Sequence, residues 1–295
     1  MVLDELTRLH IEVRQDEMMK GHTTFKTGGP AGLFILPDSV EQMTQTVGIL
    51  KKNGCPYRIL GKGSNLLVDD AGVPGAVICT DKLLGFLAEG DTISAMAGEN
   101  ITAVSRKAAE LGLSGLEFAC GIPGSVGGAI VMNAGAYGGE MKDVVTEVTA
   151  INRLGEVVII KAEDMDFGYR HSCVDERELI VLLAVMKLKK DVPEQIALRN
   201  KENLSARSEK QPLEYPSAGS TFKRPEGYFA GKLIDDAGLR GFSVGQAQVS
   251  EKHCGFIINR GNATSEDIKK LIELVSQKVY DDFKVKLECE LRIWP

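Results

Sequence analysis

The distribution of apolar and polar residues predicts alternating strands and helices in the first part of the chain. Residues 33–36 form a short apolar run, which is typical of a strand. A helix is expected next, capped by Asp38 or Ser39 and ending near Gly54. Residues 57–60 then predict a strand that runs directly into a glycine-rich segment.

The same alternation continues up to residue 188. A strand is expected at 92–96, and a helix should follow Asn100. The apolar side of this helix consists of Ile101, Val104, Ala108 and Leu111. Three more strands are expected, at 144–152, 156–161 and 179–188.

The last third of the chain predicts a second group of elements after a charged, helix-permissive connector at 191–211. A helix is expected at 228–236 and a strand at 256–259. Residues 264–267 fit a capping box. The helix that they begin would bury Ile268, Leu271, Ile272, Val275 and Val279. A final alternating strand would place on its inward side Val285, Leu287, Cys289, Leu291 and Ile293.

Composition excludes several classes of function. The net charge is −6, whereas nucleic-acid binding calls for a clustered basic surface. The longest apolar run, 179–186, is far shorter than the ~20 residues of a membrane span, and the N-terminus lacks the apolar segment of a secretory signal. We therefore expect a cytoplasmic protein. Its expected state is a monomer or a weak oligomer. The six cysteines have no metal-ligand spacing, so we expect reduced thiols and no metal site.

Glycine is the residue type that departs from ordinary composition. The chain has 32 glycines in 295 residues, about 11%, whereas ~7% is usual. One cluster, Gly61-Lys62-Gly63-Ser64-Asn65, follows the strand predicted at 57–60. Successive backbone amides in such a turn can converge on an anion. The cluster matches neither the dinucleotide G-x-G-x-x-G pattern nor a P-loop, and a tight turn without a ligand is the alternative.

A second cluster covers residues 121–129 and continues at 133–139. Aliphatic residues such as Ile122 and Val126 lie between its glycines, unlike the polar residues of a flexible linker. Packed backbone that lies against a large flat ligand and offers donors to a diphosphate is one interpretation. A tightly packed turn between a helix and a strand is the other.

The two clusters are similar to the pyrophosphate loops of FAD-binding domains of the vanillyl-alcohol-oxidase type. Three further segments extend the similarity: Tyr169-Arg170-His171-Ser172, residues 215–225 and residues 287–292. From about Thr23 to Ile293, the chain resembles the UDP-N-acetylenolpyruvoylglucosamine reductase family. The Ser-Ala-Gly-Ser-Thr-Phe-Lys motif at 217–223 is its most specific feature.

The resemblance implies an α/β (α+β) fold. A two-lobed FAD-binding domain would occupy residues 1–80 and 81–200, and a C-terminal α/β substrate domain residues 205–295. NADPH would reduce non-covalently bound FAD, which would pass hydride to the enolpyruvyl group of a UDP-sugar in peptidoglycan precursor synthesis. The residues that would bind FAD are Gly61, Lys62, Gly63, Ser64, Asn65, Leu66, Gly121, Ile122, Pro123, Gly124, Gly127, Gly128 and Ala129.

The resemblance also implies three catalytic residues. Arg170 would stabilise negative charge, Ser220 would donate a proton, and Glu290 is the family's glutamate. Glu288 shares a face with Glu290 but lies two residues too early in the motif. Taken singly, each has an ordinary alternative: an ion-pair arginine, a turn serine and a solvated glutamate.

Substrate contacts are expected from Tyr137, Arg207, Lys223 and Arg224. The family often has asparagine at the position of Arg224, and its longer form has a loop whose tyrosine folds over the substrate. The chain has no room for that loop between Leu188 and Ser220, so it resembles the short form.

Two other functions stay open on the sequence alone. A related oxidase would tether its flavin to a histidine or cysteine near the first loop, where Cys79 is the nearest candidate. A non-catalytic protein that binds a UDP-sugar or another anion would use the glycine loops without a flavin.

Overall fold

The computed structural model describes residues 1–295 and divides into two compact units. The first unit comprises Met1–Gln15, Leu33–Lys62 and Gly75–Arg207. The second unit comprises Asp16–Gly32, Gly63–Pro74 and Ser208–Pro295. The predicted lobes at 1–80, 81–200 and 205–295 stay a prediction, because compactness alone does not assign a lobe to a cofactor.

The chain forms seven α-helices. They are α1 (Val2–Arg8), α2 (Val40–Lys52), α3 (Ile101–Glu110), α4 (Val126–Val131), α5 (Pro193–Lys210), α6 (Ala230–Asp236) and α7 (Ser265–Phe283). None of them is long and apolar enough to cross a membrane.

Eighteen strands accompany the helices. The first nine are β1 (Glu12–Met18), β2 (Pro30–Leu36), β3 (Tyr57–Leu60), β4 (Leu66–Val68), β5 (Val73–Cys79), β6 (Phe86–Glu89), β7 (Thr92–Met96), β8 (Leu113–Ser114) and β9 (Gly135–Ala136). The others are β10 (Gly139–Glu140), β11 (Val145–Ile151), β12 (Val157–Lys161), β13 (Ile180–Lys187), β14 (Lys189–Lys190), β15 (Ser243–Val244), β16 (Ala247–Val249), β17 (Ile257–Asn259) and β18 (Arg292–Trp294).

Two sheets dominate the first unit. Most of a four-stranded sheet, in the order β1-β2-β5-β3, lies in this unit, and β3 runs parallel to β5. A five-stranded antiparallel sheet has the order β12-β11-β13-β7-β6. One continuous apolar core joins the sheets to α2 and α3, with fully buried members that include Val47, Ile78, Ile93, Val104 and Val148. The burial of such side chains is the main favourable contribution to folding.

The helices of the first unit begin where their caps predict. The hydroxyl of Ser39 accepts a hydrogen bond from the amide of Gln42 at 3.2 Å, which settles the choice between the two predicted caps of α2. Asn100 caps α3 in the same way. The expectation for Leu111 was wrong, because it is 55% exposed. The helix ends at Glu110, so Leu111 lies beyond its last turn and is not held against the core.

The second unit packs α7 against an antiparallel sheet of β15, β16 and β17. The predicted capping box is confirmed. Thr264 accepts from the amide of Asp267 at 3.0 Å, and Asp267 accepts from the amide of Thr264 at 3.1 Å. All five apolar residues predicted on the inward side of α7 are buried in the core of this unit.

The predicted final strand is only partly correct. The burial of residues 285–289 alternates as expected, but Glu290 is half-buried, and only Arg292–Trp294 forms a ladder, parallel to β4. The backbone bends at Leu291, which shifts the pattern by one residue. Ile293 is therefore 45% exposed, and Trp294 is buried opposite Val68.

Candidate active site

The two glycine-rich loops meet in the first unit. Gly61 directly follows strand β3 and lies next to Ser125. A Cβ atom on Gly61 would lie 2.4 Å from the Ser125 hydroxyl oxygen. That hydroxyl is fixed, because it caps α4 by accepting from the amide of Gly128 at 3.2 Å. The predicted cofactor segments are therefore neighbours, and only glycine fits at this junction.

Close backbone packing holds the second loop. The amide of Gly127 donates to the carbonyl of Ala97 at 2.9 Å, and the amide of Val126 donates to the carbonyl of Glu99 at 2.8 Å. A Cβ atom on Gly127 would lie 3.0 Å from that of Ala97. Residues 121–125 form the turn before α4, and Gly127, Gly128 and Ala129 lie in the helix.

Helix α4 is an element that sequence reasoning missed. A serine directly before the run Val-Gly-Gly-Ala-Ile-Val is a capping signal, and Ser125 was absent from the predicted residues. The glycines obscured this signal, because glycine lowers helix propensity by about 1 kcal/mol.

The remainder of the first loop lies in the second unit. Gly63 has a positive φ of 60°, and a Cβ atom there would lie 2.1 Å from the carbonyl oxygen of His22. Two residues later, the side chain of Asn65 donates to the carbonyl of Glu290 at 3.0 Å. The carbonyl of Asn65 accepts from the amide of Arg292 at the same distance. A predicted cofactor residue thus bonds directly to a predicted catalytic residue.

The structure also brings the segments of Ser220 and Glu290 together. The amide of Glu290 donates to the carbonyl of Thr221 at 2.8 Å, and an isolated antiparallel bridge joins Phe222 to Cys289. The two segments therefore run side by side within the second unit. Ser220 is exposed and Glu290 is half-buried.

The two glutamates of the last segment differ in their surroundings. The Glu288 side chain is 71% exposed and pairs with Lys223. Glu290 is half-buried, and its main chain is held by Asn65 and Thr221. Their positions in the fold are therefore not equivalent, although they share one face in the sequence pattern.

Arg170 lies in the first unit, at a corner of the turn Gly168–His171. Its φ of 54° is in the left-handed region, which non-glycine residues seldom adopt. Its guanidinium donates to the carbonyl of Gly135 at 3.1 Å and lies 5.1 Å from the centre of the Tyr169 ring.

Two of the predicted substrate residues gather at the second loop. A Cβ atom on Gly121 would lie 2.8 Å from Cδ of Arg207, which α5 carries. Burial lowers the pKa of Arg207. Burial also raises the pKa of Tyr137, and the nearby Arg207 charge opposes that shift. The two side chains are therefore close enough for the charge of Arg207 to affect the pKa of Tyr137.

The other two predicted substrate residues follow Ser220 in the second unit. Lys223 pairs with Glu288, as described above. The guanidinium of Arg224 stacks on Phe229 at 4.0 Å and donates to the carbonyl of Tyr228 at 3.3 Å.

The loops fit the diphosphate of a dinucleotide. The tight fit of Gly61 against Ser125 and of Gly127 against Ala97 brings the backbone of the two loops together, and clustered backbone amides of this kind can bind a diphosphate. The first loop also carries a cation, Lys62, whose ammonium group lies 2.9 Å from the carboxylate of Asp81.

Comparison with known families gives two matches. A profile described as "FAD binding domain" matches residues 31–161. A profile described as "UDP-N-acetylenolpyruvoylglucosamine reductase, C-terminal domain" matches residues 211–294.

Individual proteins give the same result. A UDP-N-acetylenolpyruvoylglucosamine reductase from Clostridium botulinum is 51% identical, over 94% of this chain and 91% of its own length. The crystal structure of UDP-N-acetylenolpyruvylglucosamine reductase from Thermus caldophilus is 37% identical, with a TM-score of 0.83 over 97% of this chain and 99% of that one. A variant of berberine bridge enzyme is 16% identical, with a TM-score of 0.51 over 65% of this chain and 44% of that one, and it shows the fold alone. The resemblance and the fold class predicted from the sequence are confirmed.

Substitution of Gly61 tests the junction of the loops. We expect Gly61→Ala to weaken FAD binding by about tenfold or more, ~1.4 kcal/mol, because the new Cβ atom pushes the loops apart. The dissociation constant is measured by titrating FAD fluorescence with apoprotein. Gly48→Ala is the matched control, since a Cβ atom at Gly48 in α2 meets nothing within 4 Å.

The clash itself is tested in a Ser125→Ala background. Without the hydroxyl, the nearest neighbour of the new Cβ atom is the Ser125 Cβ at 3.5 Å, an ordinary contact. Gly61→Ala should then cost no additional FAD affinity. An equal loss in both backgrounds would show that the contact does not limit the approach of the loops.

Proposed function

Because the chain belongs to the UDP-N-acetylenolpyruvoylglucosamine reductase family, we propose that it reduces the enolpyruvyl group of UDP-N-acetylglucosamine enolpyruvate to UDP-N-acetylmuramate, a step in peptidoglycan precursor synthesis. NADPH is the reductant, and FAD, when bound, supplies the transfer of hydride to the substrate. The observation that carries the proposal is the hydrogen bond from Asn65 to Glu290, since it ties the cofactor loop to the predicted acid.

The chemistry of the substrate defines what the protein must supply. Hydride adds to the terminal carbon of the enolpyruvyl double bond, and negative charge develops on the adjacent carbon and its carboxylate. A proton must then reach that adjacent carbon, so that one hydride and one proton are added overall. The site therefore needs a cation for the charge and a positioned acid for the proton.

Arg170 is the proposed cation. Its guanidinium is half-buried and already oriented by the carbonyl of Gly135. A guanidinium matches the planar shape of a carboxylate and stays charged at all physiological pH values. We assign to it the stabilisation of the carboxylate on which charge develops.

Ser220 is the proposed proton donor to the carbon next to the carboxylate. Its hydroxyl is exposed, while the backbone around it is held: Ser220 bridges Phe256, and the amide of Thr221 donates to the carbonyl of Gly255 at 2.9 Å. A fixed backbone and an accessible hydroxyl are what a positioned acid requires.

Glu290 is the proposed second acid. An ionised carboxylate would repel a substrate that carries a growing negative charge. We therefore assign to Glu290 a protonated form that shares its proton with the substrate carboxylate. Its half-buried position supports this role better than the exposed position of Glu288.

Arg207 and Tyr137 are the proposed contacts of the substrate diphosphate. Arg207 is a half-buried cation against Gly121, and such a cation gains more from a phosphate than an exposed one does. Lys223 and Arg224 follow Ser220 along the same segment, and we assign to them the contacts with the rest of the UDP-sugar.

Cys79 is poorly suited to a covalent flavin tether. It is buried at the end of β5, and burial raises its pKa to about 12. Its sulfur therefore stays a protonated, inaccessible thiol at neutral pH. This agrees with non-covalent FAD.

Ser220→Ala separates the two halves of the reaction. Reduction of the flavin by NADPH should proceed at nearly the wild-type rate. Reoxidation by the enolpyruvyl substrate should slow by about 10²–10⁴-fold, because the proton donor is lost. Both rates are measured by anaerobic stopped-flow absorbance. Equal losses in the two halves would mean that Ser220 supports the structure of the site and does not donate the proton.

Glu290→Gln and Glu288→Gln form a matched pair. Glutamine keeps the shape of glutamate and can donate a hydrogen bond, but it is too weak an acid to share a proton with the carboxylate on which charge develops. Glu290→Gln should lower kcat by about 10²–10⁴-fold with little change in the Kd of the UDP-sugar, whereas Glu288→Gln should be nearly neutral. Steady-state kinetics and calorimetry measure the two effects. Similar behaviour of both variants would contradict the assignment of Glu290.

A further inference from the structure

Asn133 is a buried asparagine next to the segment that carries Arg170. It is 0% exposed, and its φ of 38° is in the left-handed region. It directly precedes a small hairpin formed by β9 and β10, which we call the 135–140 hairpin. None of the roles assigned above uses this residue.

The amide of Asn133 has partners on both of its polar atoms. Its nitrogen donates to the carbonyl of Gly168 at 2.9 Å and to the carboxylate of Glu140 at 2.8 Å. Its oxygen accepts from the amide of Lys142 at 2.9 Å. A buried polar group that is satisfied in this way fixes the relative positions of the segments it joins.

Those segments are the two that hold Arg170. Gly168 is the first residue of the turn in which Arg170 occupies the third position. Glu140 ends the 135–140 hairpin, and Gly135 at its start accepts the hydrogen bond from the Arg170 guanidinium. Asn133 therefore joins the turn that carries the Arg170 backbone to the hairpin that orients its side chain.

The conformation of the turn explains why it needs an anchor. Arg170 has a φ of 54°, which is disfavoured for a residue with a Cβ atom and persists only where surrounding contacts enforce it. The Asn133 amide supplies one such contact at Gly168. The hydroxyl of Ser172 supplies another, by donating to the carbonyl of Val131 at 2.8 Å.

We propose that Asn133 is a positioning residue, which sets the geometry of Arg170 through Gly168 and the 135–140 hairpin. This inference rests on the proposed role of Arg170 in stabilising charge on the substrate. Asn133 itself contacts neither substrate nor cofactor in this assignment.

Asn133→Gly tests the inference in the flavin-bound enzyme. Glycine accepts the positive φ, so the variant removes the amide without adding backbone strain. Reoxidation of the reduced flavin by the substrate should slow by about 10–100-fold, since displacement of a catalytic group by ~1 Å has effects of this size. Reduction by NADPH should be unchanged. Ser105→Ala is the control, because it removes another buried hydrogen bond of the same unit, to the carbonyl of Leu116 at 2.7 Å.

A double-mutant cycle distinguishes positioning from general damage. In an Arg170→Met background, Asn133→Gly should cause no further loss in the reoxidation rate, because its effect passes through Arg170. A further loss equal to that in the wild-type background would overturn the inference. If Arg170→Met alone leaves reoxidation unchanged, the proposed role of Arg170 fails. If Arg170→Met slows reoxidation but Asn133→Gly does not, only the inference about Asn133 fails.

Hydrogen exchange gives a readout that does not depend on turnover. The peptide that covers residues 166–173 should exchange faster in Asn133→Gly than in the wild type, and Ser105→Ala should not change it. Unchanged exchange in Asn133→Gly would overturn the inference. If that variant does not retain flavin, Asn133→Asp replaces it in both measurements, since aspartate keeps the acceptor for Lys142 and loses the donor to both Gly168 and Glu140.

Discussion

The close approach of Gly61 to Ser125 is the constraint on which the first unit depends. It requires a residue without a Cβ atom at the end of β3 and a serine hydroxyl that is fixed by capping α4. Helix α4 ends at Val131, and two residues later Asn133 begins the contacts that hold the turn of Arg170. The loop proposed to bind FAD is therefore joined to the turn of the proposed cation Arg170 through α4 and the hydrogen bond of Asn133 to Gly168.

In the second unit, hydrogen bonds between distant segments also hold the predicted site residues in place. The parallel pairing of β18 with β4 and the side chain of Asn65 hold the final segment, including Glu290. Hydrogen bonds between that segment and residues 221–223 keep Ser220 at a defined place. The main chains at the proposed acid Glu290 and next to the proposed proton donor Ser220 are thus held by hydrogen bonds to neighbouring segments.

Local patterns in the sequence predicted the elements with strong capping and periodic signals. The capping box of α7, its buried face and the strands β3 and β7 all follow from residues close to each other in the chain. Both glycine loops were also recognisable, because clustered glycine is rare outside places where the backbone must turn sharply or approach another group closely.

Two of the errors and omissions depend on partners that are distant in the chain. Alternation continued through Ile293 in the sequence, but pairing with β4 selected Trp294 for burial. Asn133 looked like an ordinary residue of a glycine-rich turn, because its partner Gly168 lies 35 positions away in the chain. The exposure of Leu111 has a local cause instead, because α3 ends at Glu110 and Leu111 is only its C-terminal cap.

Anaerobic flavin spectroscopy of the wild-type protein tests the proposed reaction most directly. NADPH should bleach the visible absorption of the bound flavin, and one equivalent of UDP-N-acetylglucosamine enolpyruvate should restore it without oxygen as UDP-N-acetylmuramate appears. A flavin that stays bleached in the presence of this substrate and recovers only on exposure to oxygen would contradict the assignment and favour an oxidase.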